Sequence, residues 1–270
     1  MSDDGLTPRQ RSSSSKWVKR SVFAVLAALV LFFGGLLVYV NFVRDEPDPL
    51  DEGDLTEALQ PEATDASDGA QGSGGPGSAA PSPAATTTGS PAPTEAPAAS
   101  AGAWVATGDS IVGYRIKEVL FGVDTEAVGR TNAVTGSLSI DGTTLSAADF
   151  TIDMTTVESD DGRRDNQYRQ IMSVDEFPTA TFSLTEPIDF GVEPADGATA
   201  DVSATGELTL RGVTKQVTFD LTARVEAGRI GVLGNIPIVF SDYSIANPSR
   251  AGITTEDNGL LEFVLVFAPA

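Results

Sequence analysis

The chain has 270 residues, a net charge of −21, no histidine and no cysteine. Those absences exclude a Ser-His-Asp triad, a Cys-His pair, a His/Cys zinc site and any disulfide framework. The acidity argues against nucleic acid as a partner, and without cysteine there is no acylated lipoprotein anchor.

Residues 1–21 are polar, with Arg9, Arg11, Lys16, Lys19 and Arg20 against Asp3 and Asp4. They read as a cytoplasmic tail. Residues 22–43 are apolar apart from Asn41 near the end. At ~1.5 Å per residue the run is about 33 Å long, enough to cross the hydrocarbon core. Basic residues precede it, and Asp45 and Glu46 follow. The positive-inside rule therefore predicts a single-pass signal anchor in the cell membrane, with the N-terminus cytoplasmic and the C-terminal domain extracytoplasmic. A cleaved signal peptide is the alternative. The run is long for an h-region, however, and no small-x-small site follows it directly. Residues 44–103 are rich in Ala, Pro, Ser, Gly and acidic residues, with almost no large apolar side chain after Leu59. Such a chain cannot bury enough surface to offset its ordering entropy, which predicts a disordered linker.

Residues 104–270 read as one all-β domain. Val112, Tyr114 and Ile116 share a face, as do Val134, Gly136, Leu138 and Ile140. Asp141-Gly142 signals a hairpin, and Phe150, Ile152 and Met154 form the next face. Ala180, Phe182 and Leu184 follow, then Val202 to Leu210, then Val217, Phe219, Leu221 and Ala223. Ala227-Gly228 turns into a run ending at Ile236, Ile238 and Phe240, where Pro237 marks an edge or a bulge. Asn258-Gly259 is read as a turn into the last strand, with Leu261, Phe263, Leu265 and Phe267 on one face. About eight hairpin-linked strands with one apolar face each close into a barrel or split into a sandwich. The same faces serve a filled core or a ligand cavity.

One stretch breaks the alternation. Between Val157 and Phe182, Tyr168, Ile171 and Met172 recur at helical spacing. Asp160 and Asp161 stand where an N-cap and acidic first turn belong, and Phe177-Pro178 forbids further helix. A short helix with an apolar face is expected to cover a barrel mouth.

These residues carry a family resemblance. The segment VESDDGRRDNQYRQIMSVDEFPTATF, the hairpin GELTLRGVTKQVTFDL (Gly206–Leu221) and VFSDYSI (Val239–Ile245) resemble the signatures of the YceI-like family. The resemblance covers Trp104 to Phe267. It implies a lipocalin-like antiparallel β-barrel, with a long polyisoprenoid or an isoprenoid quinone held along its axis, and so favours a cavity over a filled core. Many members carry a histidine in an R-x-x-H pattern after the first strand. Here that stretch reads RIKEVLFG, with Glu118 near the place, so no role of that histidine carries over.

Other chemistry is sparse. Glu158, Asp160, Asp161, Arg163, Arg164 and Asp165 fail the EF-hand template and read as helix capping and surface ion pairs. Lys215 reads as an exposed hairpin residue, and Lys117 and Glu118 as a solvated strand end. No metal site, cofactor or enzyme activity is expected. The expected lining residues are Tyr114, Phe150, Met154, Phe182, Phe219, Phe240 and Phe263, because aromatic and Met side chains suit an irregular apolar guest. The chain therefore reads as a membrane-anchored binding protein for an apolar lipid or isoprenoid. A structural or stress-related envelope module with a filled barrel is the alternative. No charged residue stands out as a head-group partner, so affinity is expected to follow chain length and ignore the head group.

Overall fold

Strand alternation decides the architecture, and the turns decide the order. The computed structural model describes residues 14–38, 47–60 and 102–270. Thirteen strands form one antiparallel sheet: β1 (Gly102–Ala106), β2 (Ile111–Leu120), β3 (Val123–Thr131), β4 (Val134–Asp141), β5 (Thr144–Asp153), β6 (Glu158–Ser159), β7 (Thr179–Leu184), β8 (Ile188–Asp189), β9 (Thr199–Leu210), β10 (Val213–Glu226), β11 (Arg229–Val239), β12 (Ile253–Thr255) and β13 (Asn258–Pro269). Eight of them close a ring in the order β1-β4-β5-β7-β9-β10-β11-β13, with β13 paired back to β1. Closure removes the exposed edges that an open sheet of this length would present.

The last strand serves two neighbours along one edge. Its C-terminal residues pair with β1 (Phe267↔Ala106), and its N-terminal half pairs with β2 (Leu261↔Tyr114). From there β2 pairs with β3, and β3 with β6. The barrel is thus closed at one end and splayed at the other, where β2 and β3 leave the ring.

A short helix covers the splayed end. Helix α3 here is the third in the chain; α1 spans Ser14–Val38, α2 spans Glu52–Leu59 and α3 spans Gly162–Met172. Asp161 caps α3 by accepting from the Arg163 N–H at 2.8 Å. The helix ends at Ser173, which takes a left-handed conformation (φ 51°), so it stops before Phe177-Pro178 is reached. Side chains tie α3 to opposite sides of the opening. Gln167 donates to the Pro248 carbonyl at 3.2 Å, Arg169 donates to that of Thr155 at 3.1 Å, and Arg211 donates to the Ile171 carbonyl at 3.0 Å.

The hairpins follow their turn residues. Arg211-Gly212 (φ 48° and 72°) and Ala227-Gly228 (φ 51° and 70°) place both central residues at positive φ, the geometry whose twist matches the flanking strands. The expected turn at Asn258-Gly259 is corrected: both residues lie inside β13 and pair with Val239 and Ile238. A two-residue glycine signal cannot make a turn where both residues are held in a ladder. Pro237 pairs with Leu260 on one side, while β10 ends its pairing with β11 at Gly234. It therefore stands on an edge segment, where a missing N–H is tolerated.

The linker expectation also needs correction. Residues 47–60 are ordered and lie against the outer wall of the barrel. Asp51 and Asp54 form a capping box at the start of α2. Leu55 and Leu59, one turn apart, are fully buried against Val264 and Val266 of β13. Gly231 on β11 makes room for them, since a Cβ there would stand 2.6 Å from Leu55 Cδ1. Two leucines on one helix face suffice because the receiving surface is preformed by the sheet. Residues 44–46 and 61–101 of the expected linker lie outside the described residues. The expected 22–43 span is helical to Val38 within α1, and residues 39–43 lie outside the described residues. Among the described residues no helix is long and apolar enough to cross a membrane. From Val22 to Val38 the apolar part of α1 measures about 26 Å at ~1.5 Å per residue, short of a ~30 Å core.

Candidate functional site

Even-numbered residues of β2 and β9 and odd-numbered residues of β10 and β13 face the lumen. That lumen is not filled. Two cavities follow one another along the axis, of about 240 Å³ under α3 and about 110 Å³ towards the closed end. Val112, Ile152 and Leu261 belong to both walls. For scale, an apolar cavity of about 150 Å³ holds a benzene ring.

Tyr114, Met154 and Phe240 line the larger cavity, and Phe150, Phe182, Phe219 and Phe263 line the smaller one. The four phenylalanines form a chain of ring contacts. Centroids stand 6.2 Å apart for Phe150–Phe182, 5.6 Å for Phe182–Phe219 and 5.8 Å for Phe219–Phe263. Phe267 extends the chain, 5.6 Å from Phe150. The smaller cavity presents no polar surface.

Glycine explains why these rings leave space. A Cβ on Gly136 would stand 2.4 Å from the Phe150 ring, and one on Gly206 would stand 2.3 Å from that of Phe182. Gly234 stands in the same relation to Phe263, and Gly129 to Tyr114. Each ring lies against a strand where a neighbouring side chain is missing, so it hugs the wall instead of crossing the lumen. The aromatic positions were legible in the alternation. The glycines that flatten them were not read for that role, although glycine inside a strand signals close approach.

The α3 end carries the polar groups. Tyr114 and Tyr168 stack with ring centroids 5.3 Å apart and an interplanar angle of 10°. Burial raises the pKa of both phenols; the charges of Asp165, Glu118 and Asp160 add to the rise at Tyr114. Glu118 points into the larger cavity and accepts a hydrogen bond from Thr125 Oγ1 at 3.3 Å. Arg164 stands 3.9 Å from Glu118 and pairs with Asp160. Glu118 is therefore not a solvated strand end, whereas Lys117, its neighbour, is exposed. Asp165 accepts from the N–H and the hydroxyl of Ser159, at 2.9 and 2.6 Å. The acidic-basic cluster is thus spent on capping and bracing α3. Lys215 is exposed, 3.9 Å from Asp242, and lines neither cavity. Among the described residues no group of acidic side chains could hold a metal ion.

A wall of this kind, apolar along its length and polar at one mouth, suits an elongated apolar molecule. Comparison with known proteins agrees on the architecture. The model of the YceI-like domain matches residues 105–267. The chain belongs to the YceI-like family. A UPF0312 protein of Vibrio campbellii is 30% identical over 128 residues, covering 43% of this chain and 64% of that protein. One from Pseudomonas aeruginosa is 39% identical over 95 residues, covering 34% of this chain and 46% of that protein. The matches thus span less than two thirds of these relatives. Among solved structures, a polyisoprenoid-binding domain from Saccharophagus degradans, implicated in plant cell wall breakdown, superposes with a TM-score of 0.51 at 20% identity. It covers 63% of this chain and 99% of that one. That likeness establishes the lipocalin-like fold of the YceI-like domain.

Proposed function

We propose that this chain is a membrane-anchored, extracytoplasmic binding protein that holds a long apolar molecule of isoprenoid type inside its barrel, and that it is not an enzyme. One observation carries the reading: two cavities lie in line along the barrel axis, bounded by aromatic rings that glycines hold against the wall. Family membership and the fold shared with the Saccharophagus polyisoprenoid-binding domain support it. Each methylene moved from water into such a lumen contributes about 0.8 kcal/mol, so a chain of ten carbons offsets the cost of ordering it. The apolar run from Val22, with its basic N-terminal flank, supports the anchor and the cytoplasmic N-terminus.

The test is chemical. The full chain, purified from its native host, is extracted with organic solvent and the extract analysed by mass spectrometry. An apolar lipid in stoichiometric amount is expected. No ligand in the extract, together with no uptake of isoprenoids of several lengths, overturns the reading in favour of a filled envelope module. For the anchor, protease reaching only the outer side of a sealed inner membrane is expected to degrade the barrel and spare the first residues. Protection of the whole chain overturns that part.

A further inference from the structure

The polar mouth of the larger cavity holds a hydroxyl with nothing to bond. Thr255, on β12, is 6% exposed and lines that cavity, and its Oγ1 has no hydrogen-bond partner. Its backbone is fully used. The N–H donates to Ser249 Oγ at 2.8 Å, and the carbonyl accepts from Asn247 Nδ2 at 3.1 Å. Only the side chain is left over. A buried, unpaired hydroxyl is costly, and such groups persist where a ligand supplies the partner. Among the described residues Trp104 Nε1 is the other buried orphan, but Trp104 lines neither cavity.

Register places Thr255 beside two further polar groups. Thr255 is paired with Glu118 on β2, and Glu118 with Thr125 on β3. The row Thr255–Glu118–Thr125 therefore crosses three adjacent strands at one level, with Thr255 and Glu118 on the cavity wall and Thr125 bonded to Glu118. A carboxylate only accepts hydrogen bonds, whereas a threonine hydroxyl donates and accepts. We propose that this row is the head-group site of the lumen, and that it selects a neutral head that both donates and accepts, such as the hydroxyl of a long-chain alcohol, over a phosphate. The alcohol gives its proton to Glu118 and accepts from Thr255. An ether or quinone oxygen satisfies Thr255 alone. A phosphate meets the negative field of Glu118, Asp160 and Asp165, the same field that helps hold the Tyr114 proton in place. Arg164 offsets only part of that field, since three carboxylates stand against one guanidinium, and Arg250, the other cation on the cavity wall, is exposed and donates to Gln167.

The inference rests on the lipid-binding reading above and sharpens it. It also replaces the expectation that affinity ignores the head group. The test uses the full chain held in amphipol, with four probes on one farnesyl chain: the alcohol, its methyl ether, the monophosphate and the headless hydrocarbon. Displacement of a bound fluorescent fatty probe reports affinity. The alcohol is expected to bind at least tenfold more tightly than the phosphate. Thr255→Val, which keeps the shape and removes the hydroxyl, is expected to weaken the alcohol about fivefold and leave the hydrocarbon unchanged. Thr255→Ser is expected to restore the alcohol, and Glu118→Gln to narrow the gap between alcohol and phosphate. A phosphate that binds as well as the alcohol overturns the proposal. So does a Thr255→Val variant whose alcohol-to-hydrocarbon ratio is unchanged. If the hydrocarbon itself does not bind, the lumen is not a lipid site, and both readings fall together.

Discussion

The two faces of β13 present the same kind of residue and meet opposite fates. On the inside, Phe263, Leu265 and Phe267 border a lumen with space left in it. On the outside, Val264 and Val266 are sealed under Leu55 and Leu59 with 0% exposure. Next to that seal, Glu262 accepts from Arg115 at 3.0 Å and from Arg130 at 2.9 Å, and Arg115 also bonds Glu126. The segment leading into α2 completes the cluster, since the Pro47 and Asp48 carbonyls accept from Arg115 and Arg130. Burial alone lowers the Arg115 pKa, but its bonds to Glu262 and Glu126 outweigh that and raise it. The lesson is that apolar content does not mark the proposed ligand site. Room does, and room here is made by glycine inside and abolished by leucine outside.

That contrast is breakable from either side. The largest effect is expected from Glu262→Ala. It removes the carboxylate that Arg115 and Arg130 share and leaves Arg115, which is 5% exposed, with Glu126 alone, and breaking a buried pair costs about 3–5 kcal/mol. Urea unfolding should show the loss, while probe uptake by the still-folded fraction is unchanged. Leu55→Ala with Leu59→Ala comes next. Each truncation removes about 1.5–3 kcal/mol of burial, so α2 should detach and become cleavable by protease while the barrel stays intact. On the inside, Gly206→Ala sets a Cβ 2.3 Å from the Phe182 ring and 2.6 Å from the Ser183 carbonyl, so the ring is forced away from the wall and the strand gives slightly. Overpacking of this kind costs about 1–3 kcal/mol, and here the ring moves into the smaller cavity, so uptake of long chains should fall. If the inner substitution spares uptake, or the outer pair abolishes it, the division between the two faces is wrong.

The smallest effect is alkaline. Tyr114 and Tyr168 have pKa values raised above 10.0 by burial. Their contribution is complete below about pH 10 and is lost as pH climbs towards the folded pKa, because the unfolded chain ionises first. At pH 11 each phenol accounts for at most about 1.4 kcal/mol. Tyr168→Phe should flatten the fall in melting temperature between pH 9 and pH 11. An unchanged slope means the stacked pair is open to water.

Much of the barrel was legible because its strands obey a period of two and three of its hairpins carry Gly at the second turn position. Five of the seven expected lining positions face the two cavities for the same reason, while Met154 and Phe240 do so from the short 3-10 turns that follow β5 and β11. What escaped depends on pairing across strands. Gly129, Gly136, Gly206 and Gly234 matter only once register brings an aromatic ring over each. Thr255 reads as an ordinary loop threonine until β12 is laid against β2. The strap over the outer wall did leave a trace. The stretch Phe263 to Phe267 is apolar without alternation, the mark of a strand covered on both sides.

The docked segment also changes how far the barrel can stray. Read as a linker, residues 44–103 would be a leash of sixty residues with roughly 40–45 Å of r.m.s. reach. With Pro47 to Leu59 fastened to the wall, only residues 39–46 separate the end of α1 from the docked segment. A stretch of that length spans at most about 29 Å when fully extended. The remaining forty or so residues, 61–101, then begin and end on the same body and tether nothing. If α1 is the anchor proposed above, the barrel rides close to the bilayer on a fixed side, and a lipid travels little more than a membrane thickness to enter it.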